Sequence, residues 1–437
     1  MPSLFLNTAF SYINNASTRV KFQSVYSHYL NQLLVDCHLP DFRLTPGDVM
    51  LLCETYDDFQ DKNQIDDLIY TGINNWQLPL NMLAQRGRLS LFDGLTDYAL
   101  SILQLNKKFG KYANLNASLT HTISVLAHAR TQLMVERIHT QSLTIFDYDC
   151  ISGLSGVVPY LLHCKDEECI ESAQEIVKAL CLFSELSPND TRLIPNFCIL
   201  PDHLFQEHEK ESYPGGMINL GLSHGITGPL SALSIAAKRG LNIPGVEDAI
   251  FRLSNFLMNN YVYDEKWLPY WASGISLNDY LNHLHGNPFN NKRLSWCYGS
   301  LSILKVLQQA SSVLNNNELH VWAYKKMQDF SKEPLDTYGF ISPTICHGFA
   351  GALLIYQAAY NNNNLEAYLT ALHKFEDKLY NMYAPHSKYG YINIDNVFGK
   401  IRTQQDTSFL SGASGILLAL LAPYKSITFS FDHLLIP

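Results

Sequence analysis

Charge is scarce in this chain. Only 16% of its 437 residues are Asp, Glu, Lys or Arg, against 47% hydrophobic and 12% aromatic. That balance excludes a disordered tail and supplies apolar material for a large buried core. Basic residues are the rarer sign, 31 against 40 acidic, so the formal charge is −9 and a phosphate-binding surface is not expected to be the molecule's main business. Long apolar runs are missing as well. The longest, Ile416 to Ala422, falls far short of the ~20 residues a spanning helix needs, and no cation precedes Arg19 to start a secretory signal. A soluble, cytoplasmic protein with no transmembrane segment and no nucleic-acid partner is expected. The cysteines, nine in number, lack the rhythm of a disulfide framework. In a reducing compartment most are expected to be buried thiols, and any special pair to bind metal or react rather than to staple.

What the chain has in place of these is a recurring glycine phrase: Gly94-Leu-Thr-Asp97, Gly153-Leu-Ser-Gly156, Gly225-Ile-Thr-Gly228, Gly299-Ser-Leu-Ser302, Gly348-Phe-Ala-Gly351 and Gly412-Ala-Ser-Gly415, at intervals of 59, 72, 74, 49 and 64 residues. Apolar residues follow the last five copies, as in Val157 to Leu162, Leu353 to Ile355 and Ile416 to Leu418. The pattern predicts loops that open buried helices. Glycine turns the backbone tightly, small hydroxyl residues are expected to cap the first amides, and Pro159 and Pro229 fit a first helical turn. Amphipathic segments at 171–185, 245–260, 317–330 and 364–383 lie between the phrases, without period-two alternation. Two helices per unit and six units predict an all-α ring, an α/α toroid of six inner plus six outer helices, with the glycine loops gathered at one functional end.

Residues 1–90, with helical stretches near 18–36 and 62–75, are expected to flank a ring spanning 91–437. The 49-residue interval approximates a minimal helical hairpin, so the 72- and 74-residue intervals carry roughly 25 surplus residues each. These fall near 188–216 and 261–292 and are expected to form decorations, a small appended subdomain.

Three phrases carry chemistry beside the glycine: Ser223-His224-Gly225, Trp296-Cys297-Tyr298-Gly299 and Cys346-His347-Gly348. Converging loops would bring two thiols and an imidazole together, a soft donor set suited to zinc with one position open; a fourth protein ligand would make the site structural. Neighbouring side chains diverge by about 100° on a helix and oppose each other on a strand. Cys346 and His347 therefore need a turn to face one ion, and Gly348 supplies it.

With Asp149-Cys-Ile-Ser-Gly153-Leu-Ser-Gly156, Gly221-Leu-Ser-His224-Gly225, Arg293-Leu-Ser-Trp296-Cys297-Tyr298-Gly299 and Cys346-His347-Gly348, the sequence resembles the lanthionine synthetase C-like proteins, from about Asp93 to Gly415. Within them it is most similar to the cyclases of class I lanthipeptide (lantibiotic) biosynthesis, of the nisin and subtilin type. The resemblance implies an α/α toroid with Cys297, Cys346 and His347 as zinc ligands, the fourth position being held by water or the incoming substrate thiol. It implies His224 and Asp149 as acid–base residues, with Arg293 and Tyr298 at further active-site positions. The implied reaction is Michael-type addition of peptide cysteine thiols to dehydroalanine or dehydrobutyrine, giving lanthionine or methyllanthionine rings. The implied partners are a precursor peptide with a leader, a dehydratase and a peptide exporter, which would bring the protein to the inner face of the cell membrane.

Each residue also has a plainer reading. His224 fits a packed histidine at a helix start, Asp149 a helix cap, Arg293 a clamp on a loop carbonyl and Tyr298 a partner for Trp296, while Asp147 is an alternative carboxylate. Cys164 and Cys169, read on one helix, point about 140° apart, and His203 with His208 shares that flaw. His283 and His285 face one side of an extended segment without a third ligand, and the pairs Asp57-Asp58 and Asp66-Asp67 read as solvated faces. Ring-shaped glycosidases need two carboxylates at the loop face, and a zinc protein prenyltransferase would also activate a thiol. The competing function is a non-cyclising zinc protein of the same family that binds glutathione or a partner protein.

Overall fold

Helices dominate the computed structural model, which describes residues 4–188, 190–289, 292–397, 399–427 and 434–436. Before the first glycine phrase come α1 (Ala16–Asp36), α2 (Pro46–Glu54), α3 (Lys62–Asn74) and α4 (Gln77–Gln85). The phrase opens α5 (Leu95–Phe109), followed by α6 (Ala113–His139). A single turn, α7 (Ile145–Tyr148), leads into the second phrase, then α8 (Val157–Cys164) and α9 (Glu167–Phe183). The chain next passes α10 (Glu207–Ser212) and β1 (Met217–Asn219) to reach α11 (Thr227–Lys238) and α12 (Val246–Met258). Three short strands, β2 (Tyr261–Tyr263), β3 (Pro269–Trp271) and β4 (Gly274–Ser276), and α13 (Leu277–Leu281) precede α14 (Ser300–Val313) and α15 (Asn317–Lys332). The last part holds α16 (Phe349–Asn363), α17 (Glu366–Asn381), the hairpin of β5 (Asn393–Val397) and β6 (Lys400–Gln404), and α18 (Ala413–Leu421). All six phrases thus open helices. The amphipathic segments are α9, α12, α15 and α17; α2, buried along its whole length, shows no amphipathic period and is not legible in the sequence.

The described residues form two compact units, one of 4–86, 97–116 and 340–427, the other of 87–96, 117–339 and 434–436. In the second unit α8 packs on α9, α11 on α12 and α14 on α15, while α11 also packs on α8 and α14. In the first unit α16 packs on α17 and α18, and α18 on α2 and α1. Burial separates two kinds of helix. Residues Thr227–Ala236 of α11, Ser300–Ser311 of α14 and Phe349–Ala359 of α16 are buried without a break, whereas α12 buries one stripe, Val246, Ala249, Ile250, Leu253, Ser254 and Leu257. A helix buried all round must satisfy its terminal amides within the protein, because water does not reach them.

The side-chain hydroxyl caps expected from the sequence do not do this: the residues before α8, α11, α14, α16 and α18 make no side-chain cap. Instead the chain ahead of the helix wraps back, and backbone carbonyls seven residues upstream accept the first amides. Leu95 N bonds Arg88 O (3.0 Å), Ile226 N bonds Asn219 O (2.9 Å), Phe349 N bonds Ser342 O (3.1 Å) and Ala413 N bonds Asp406 O (3.0 Å). The hydroxyls join the same wraps as donors, Thr227 to Leu220 O (2.7 Å) and Ser155 to Tyr148 O (2.5 Å). So tight a wrap leaves no room inside. A Cβ on Gly348 would lie 2.1 Å from Ser342 O.

The two surplus segments meet in a small sheet. β1 pairs antiparallel with β4, placing Ile218 opposite Ile275, and Tyr280 Oη donates to Leu193 O at 3.3 Å. Several sequence readings change. α8 ends at Cys164, Lys165 is left-handed (φ 64°) and α9 begins at Glu167, so Cys164 and Cys169 lie on different helices. His203 and His208 likewise fall in separate short helices, and His283 sits in a turn after α13 with φ 55° rather than in an extended segment. Asp58 is buried, not solvated, accepting from Phe10 N (2.8 Å) and Tyr12 Oη (3.0 Å).

Gly348→Ala is expected to cost about 3 kcal/mol by overpacking the wrap. Gly110→Ala, with nothing within 4 Å and φ 68°, should cost only about 1 kcal/mol for the left-handed conformation. Urea denaturation of both variants measures the difference; equal losses would show that the wrap tolerates a side chain.

Candidate active site

In the second unit the fourth phrase is built on one glycine. Gly299 has φ 124°, and a Cβ there would lie 2.0 Å from Arg293 O, so only glycine closes the turn in which Leu294 and Gly299 bridge. The turn presents Ser295 to Tyr298. Ser295 Oγ donates to Tyr298 O (2.7 Å) and lies 3.4 Å from Cys297 Sγ. Cys297 O accepts from Leu222 N (3.0 Å), Ser223 N (3.1 Å) and Ser223 Oγ (3.2 Å), which ties the third and fourth phrases together. Tyr298 does not take its place against Trp296: the indole is turned inward, edge-on to Phe92 and donating to Leu434 O at 2.9 Å. The Tyr298 hydroxyl accepts from Asn219 Nδ2 at 2.9 Å, and burial pushes the phenol's pKa up. The exposed Arg293 guanidinium stands 6.0 Å from the Tyr298 ring centre.

His224 and Asp149 form the polar centre of this cluster. Asp149 is fully buried. Its Oδ1 accepts from Ser152 N (2.6 Å) and Gly153 N (2.7 Å), and its Oδ2 meets His224 Nδ1 at 2.5 Å. Capping and pairing thus coexist in one carboxylate. Tyr148 Oη holds the His224 carbonyl at 3.1 Å, and the His224 ring lies 6.5 Å from that of Tyr298. Burial alone would lower the imidazole's pKa. The hydrogen bond to Asp149 and its charge, with a smaller contribution from Cys297, outweigh burial and hold the ring above its ordinary 6.5. Asp147, the alternative carboxylate, is spoken for by Arg137 at 2.5 Å and by the amide of Thr144 at 2.8 Å.

In the first unit the fifth phrase carries Cys346 and His347 in the wrap before α16. Cys346 N donates to Leu410 O at 3.0 Å, and His347 Nε2 meets Asn393 Oδ1 (3.1 Å) and Asp395 Oδ1 (2.9 Å). Neither Cys297 nor Cys346 is part of a disulfide. Among the described residues no three His, Cys, Asp or Glu side chains form a group able to hold a metal ion. By chemistry the donors fit zinc, which takes thiolate sulfur and imidazole nitrogen.

Asn219, Ser295, Asn393 and Asp395 escaped the sequence reading. Asn219 and Ser295 sit inside the wraps, four residues or more before their glycines, and an offset of seven from Ile226, the residue that precedes α11, would have found Asn219. Asn393 and Asp395 carry no signal in sequence, since only pairing of the β5–β6 hairpin places them. His283 and His285 line a different cavity of about 580 Å³ with Phe197, Arg252, Phe256 and Tyr280, away from Asp149 and His224.

The family model of the lanthionine synthetase C-like proteins matches residues 45–436. The nisin biosynthesis protein NisC of Lactococcus lactis subsp. lactis is 26% identical over 393 residues, covering 88% of this chain and 85% of that protein. The solved structure of nisin cyclase superposes with a TM-score of 0.76 at 23% identity, over 96% of this chain and 97% of that one. That likeness gives the fold, an α/α toroid.

The raised pKa of His224 fixes a sign. The stabilisation from its charged pair with Asp149 is complete below pH 6.5, the ordinary value, and is lost as pH rises through the higher folded value. NMR titration should find His224 above 6.5 in the wild type and below it in Asp149→Asn, where burial acts without the carboxylate. An unchanged titration in the variant would remove Asp149 as the cause.

Proposed function

Because the chain belongs to the lanthionine synthetase C-like family, we propose that it is a lanthionine-forming cyclase that closes thioether rings in a dehydrated precursor peptide, with zinc as its cofactor. The observation that carries this reading is the 2.5 Å bond between His224 and the buried Asp149, in the loop tied to Cys297. Cys297, Cys346 and His347 are the residues that would hold the ion; bound there, zinc lowers the pKa of an incoming thiol so that thiolate exists near neutral pH.

The peptide's sulfur adds to the β-carbon of dehydroalanine or dehydrobutyrine. A carbon–sulfur bond forms, and the alkene's electron pair moves onto the α-carbon and its carbonyl as an enolate. Asp149 holds Nδ1 of His224, which leaves Nε2 as the atom that carries the exchangeable proton. The raised pKa keeps that proton in place near neutral pH, ready for transfer to the α-carbon. Arg293 offsets the enolate's charge, and Tyr298, anchored by Asn219, walls the same space. The thiol's hydrogen leaves as a proton to solvent when the thiolate forms, and His224, having given one to the α-carbon, takes one back from solvent, so no atoms are gained or lost and the product is an isomer of the dehydrated peptide.

The chemistry requires a precursor peptide and an enzyme that supplies the alkene, and in this reading a dehydratase and a peptide exporter are further partners. No described helix is long and apolar enough to cross a membrane. Contact with the inner face of the cell membrane would then come through the exporter.

Cys297→Ala and Cys346→Ala are expected to lose zinc and cyclisation together, measured by metal analysis and by counting free thiols on a dehydrated precursor at constant mass. Stoichiometric zinc in both variants would overturn the ligand assignment. His224→Asn should keep its zinc yet close rings about 10²–10⁴-fold more slowly. Turnover at the wild-type rate would take His224 out of the mechanism.

A further inference from the structure

The β5–β6 hairpin brings a carboxylate and a carboxamide to one nitrogen of His347. Asn393 and Asp395 are two apart on β5 and therefore project from the same face. Both polar contacts of the ring among the described residues fall on Nε2, from Asn393 Oδ1 at 3.1 Å and Asp395 Oδ1 at 2.9 Å. The orientation of the Asn393 amide is fixed in turn. Ser342 Oγ accepts from Ile394 N at 3.3 Å and from Thr344 N at 3.5 Å, which occupies both of its lone pairs, so it can only donate to the Asn393 amide, at 2.8 Å, and Oδ1 rather than nitrogen faces Ser342 and the ring. Ser342 is also the residue whose carbonyl receives the first amide of α16. Hairpin, wrap and imidazole are thus one connected network.

We propose that Asp395 and Asn393 are positioning residues that set His347 in its Nε2–H tautomer and present Nδ1 as the metal-binding atom. The Asn393 amide oxygen has no hydrogen to give, so the hydrogen of its bond with the ring is on Nε2, and the Asp395 carboxylate, an ion-pair contact 2.9 Å away, favours the proton on that same nitrogen by its charge. The lone pair is then on Nδ1. A ligating imidazole that donates its other N–H to a carboxylate is held in tautomer and orientation, and becomes a better donor to the metal. The Asp395 side chain is 44% exposed and no part of the core, so its removal tests orientation rather than folding. The inference rests on the zinc reading above, but its first test does not.

In the metal-free protein, long-range ¹H–¹⁵N correlation with ¹⁵N-histidine, assigned by His347→Gln, should show the Nε2–H tautomer for His347. The double variant Asn393→Ala/Asp395→Ala should shift that signature toward a mixture. Chelator competition should then find zinc bound about 10–100-fold more weakly by Asp395→Ala, and largely restored in Asp395→Asn, whose amide oxygen still accepts. A change in the cobalt-substituted spectrum should accompany the loss. An Nδ1–H ring in the wild type, or wild-type zinc affinity in both Asp395→Ala and the double variant, would overturn the proposal. If Cys297→Ala and Cys346→Ala lose zinc while the hairpin variants do not, only the positioning role falls. If the cysteine variants keep stoichiometric zinc, the ligand reading falls and this role with it.

Discussion

A helix buried on every side has no water for the amides of its first turn, and each one left unpaired in the interior would cost about 1–3 kcal/mol. The wraps ahead of α5, α11, α16 and α18 answer this with carbonyls seven residues upstream, and in the wrap ahead of α8 the carboxylate of Asp149 takes the amides of Ser152 and Gly153. Closing such a wrap puts the glycine's Cα against its own backbone. The glycines recur because the wraps do.

The same closure organises the chemistry. Asp149, His224, Cys297 and His347 stand within a few residues of their glycines, and the backbone is committed at Asp149 N, which bonds Ile145 O, at the His224 carbonyl, which accepts from Tyr148 Oη, and at the Cys297 carbonyl, which accepts from Leu222 and Ser223 N. Asp149 is the clearest case: one oxygen takes the amides of Ser152 and Gly153, leaving the other to aim at His224. A carboxylate fixed at both oxygens holds an imidazole against the pull of burial. On that raised value rests the acid role proposed for His224.

Polar support comes from residues that touch no glycine phrase directly or lie deep inside one. Asn219 spans the wrap, its backbone carbonyl capping α11 while its side chain holds Tyr298. Ser295 brings its hydroxyl beside Cys297 Sγ. The two surplus segments serve a different end: they join through β1 and β4 and line a cavity apart from Asp149 and His224, into which His283 and His285 face.

Hydrophobic period and glycine spacing were enough to read off α9, α12, α15, α17 and the six helices behind the phrases, because those signals are local and repeat. Cys297, Cys346, His347 and His224 stood out as candidates for the same reason, each adjoining a recurrent turn, whereas Asp149 came only from the family resemblance. The sequence misled where a local rule met a break it does not announce, as at Lys165, whose left-handed backbone sends Cys164 and Cys169 onto separate helices. It was also silent where burial erased amphipathicity, as in α2, and where a carboxylate such as Asp58 found amide and hydroxyl partners nearly fifty residues away. Which atom of His347 bears the proton was decided by tertiary structure alone, since Asn393 and Asp395 reach the ring across a chain separation of more than forty residues that no local pattern encodes.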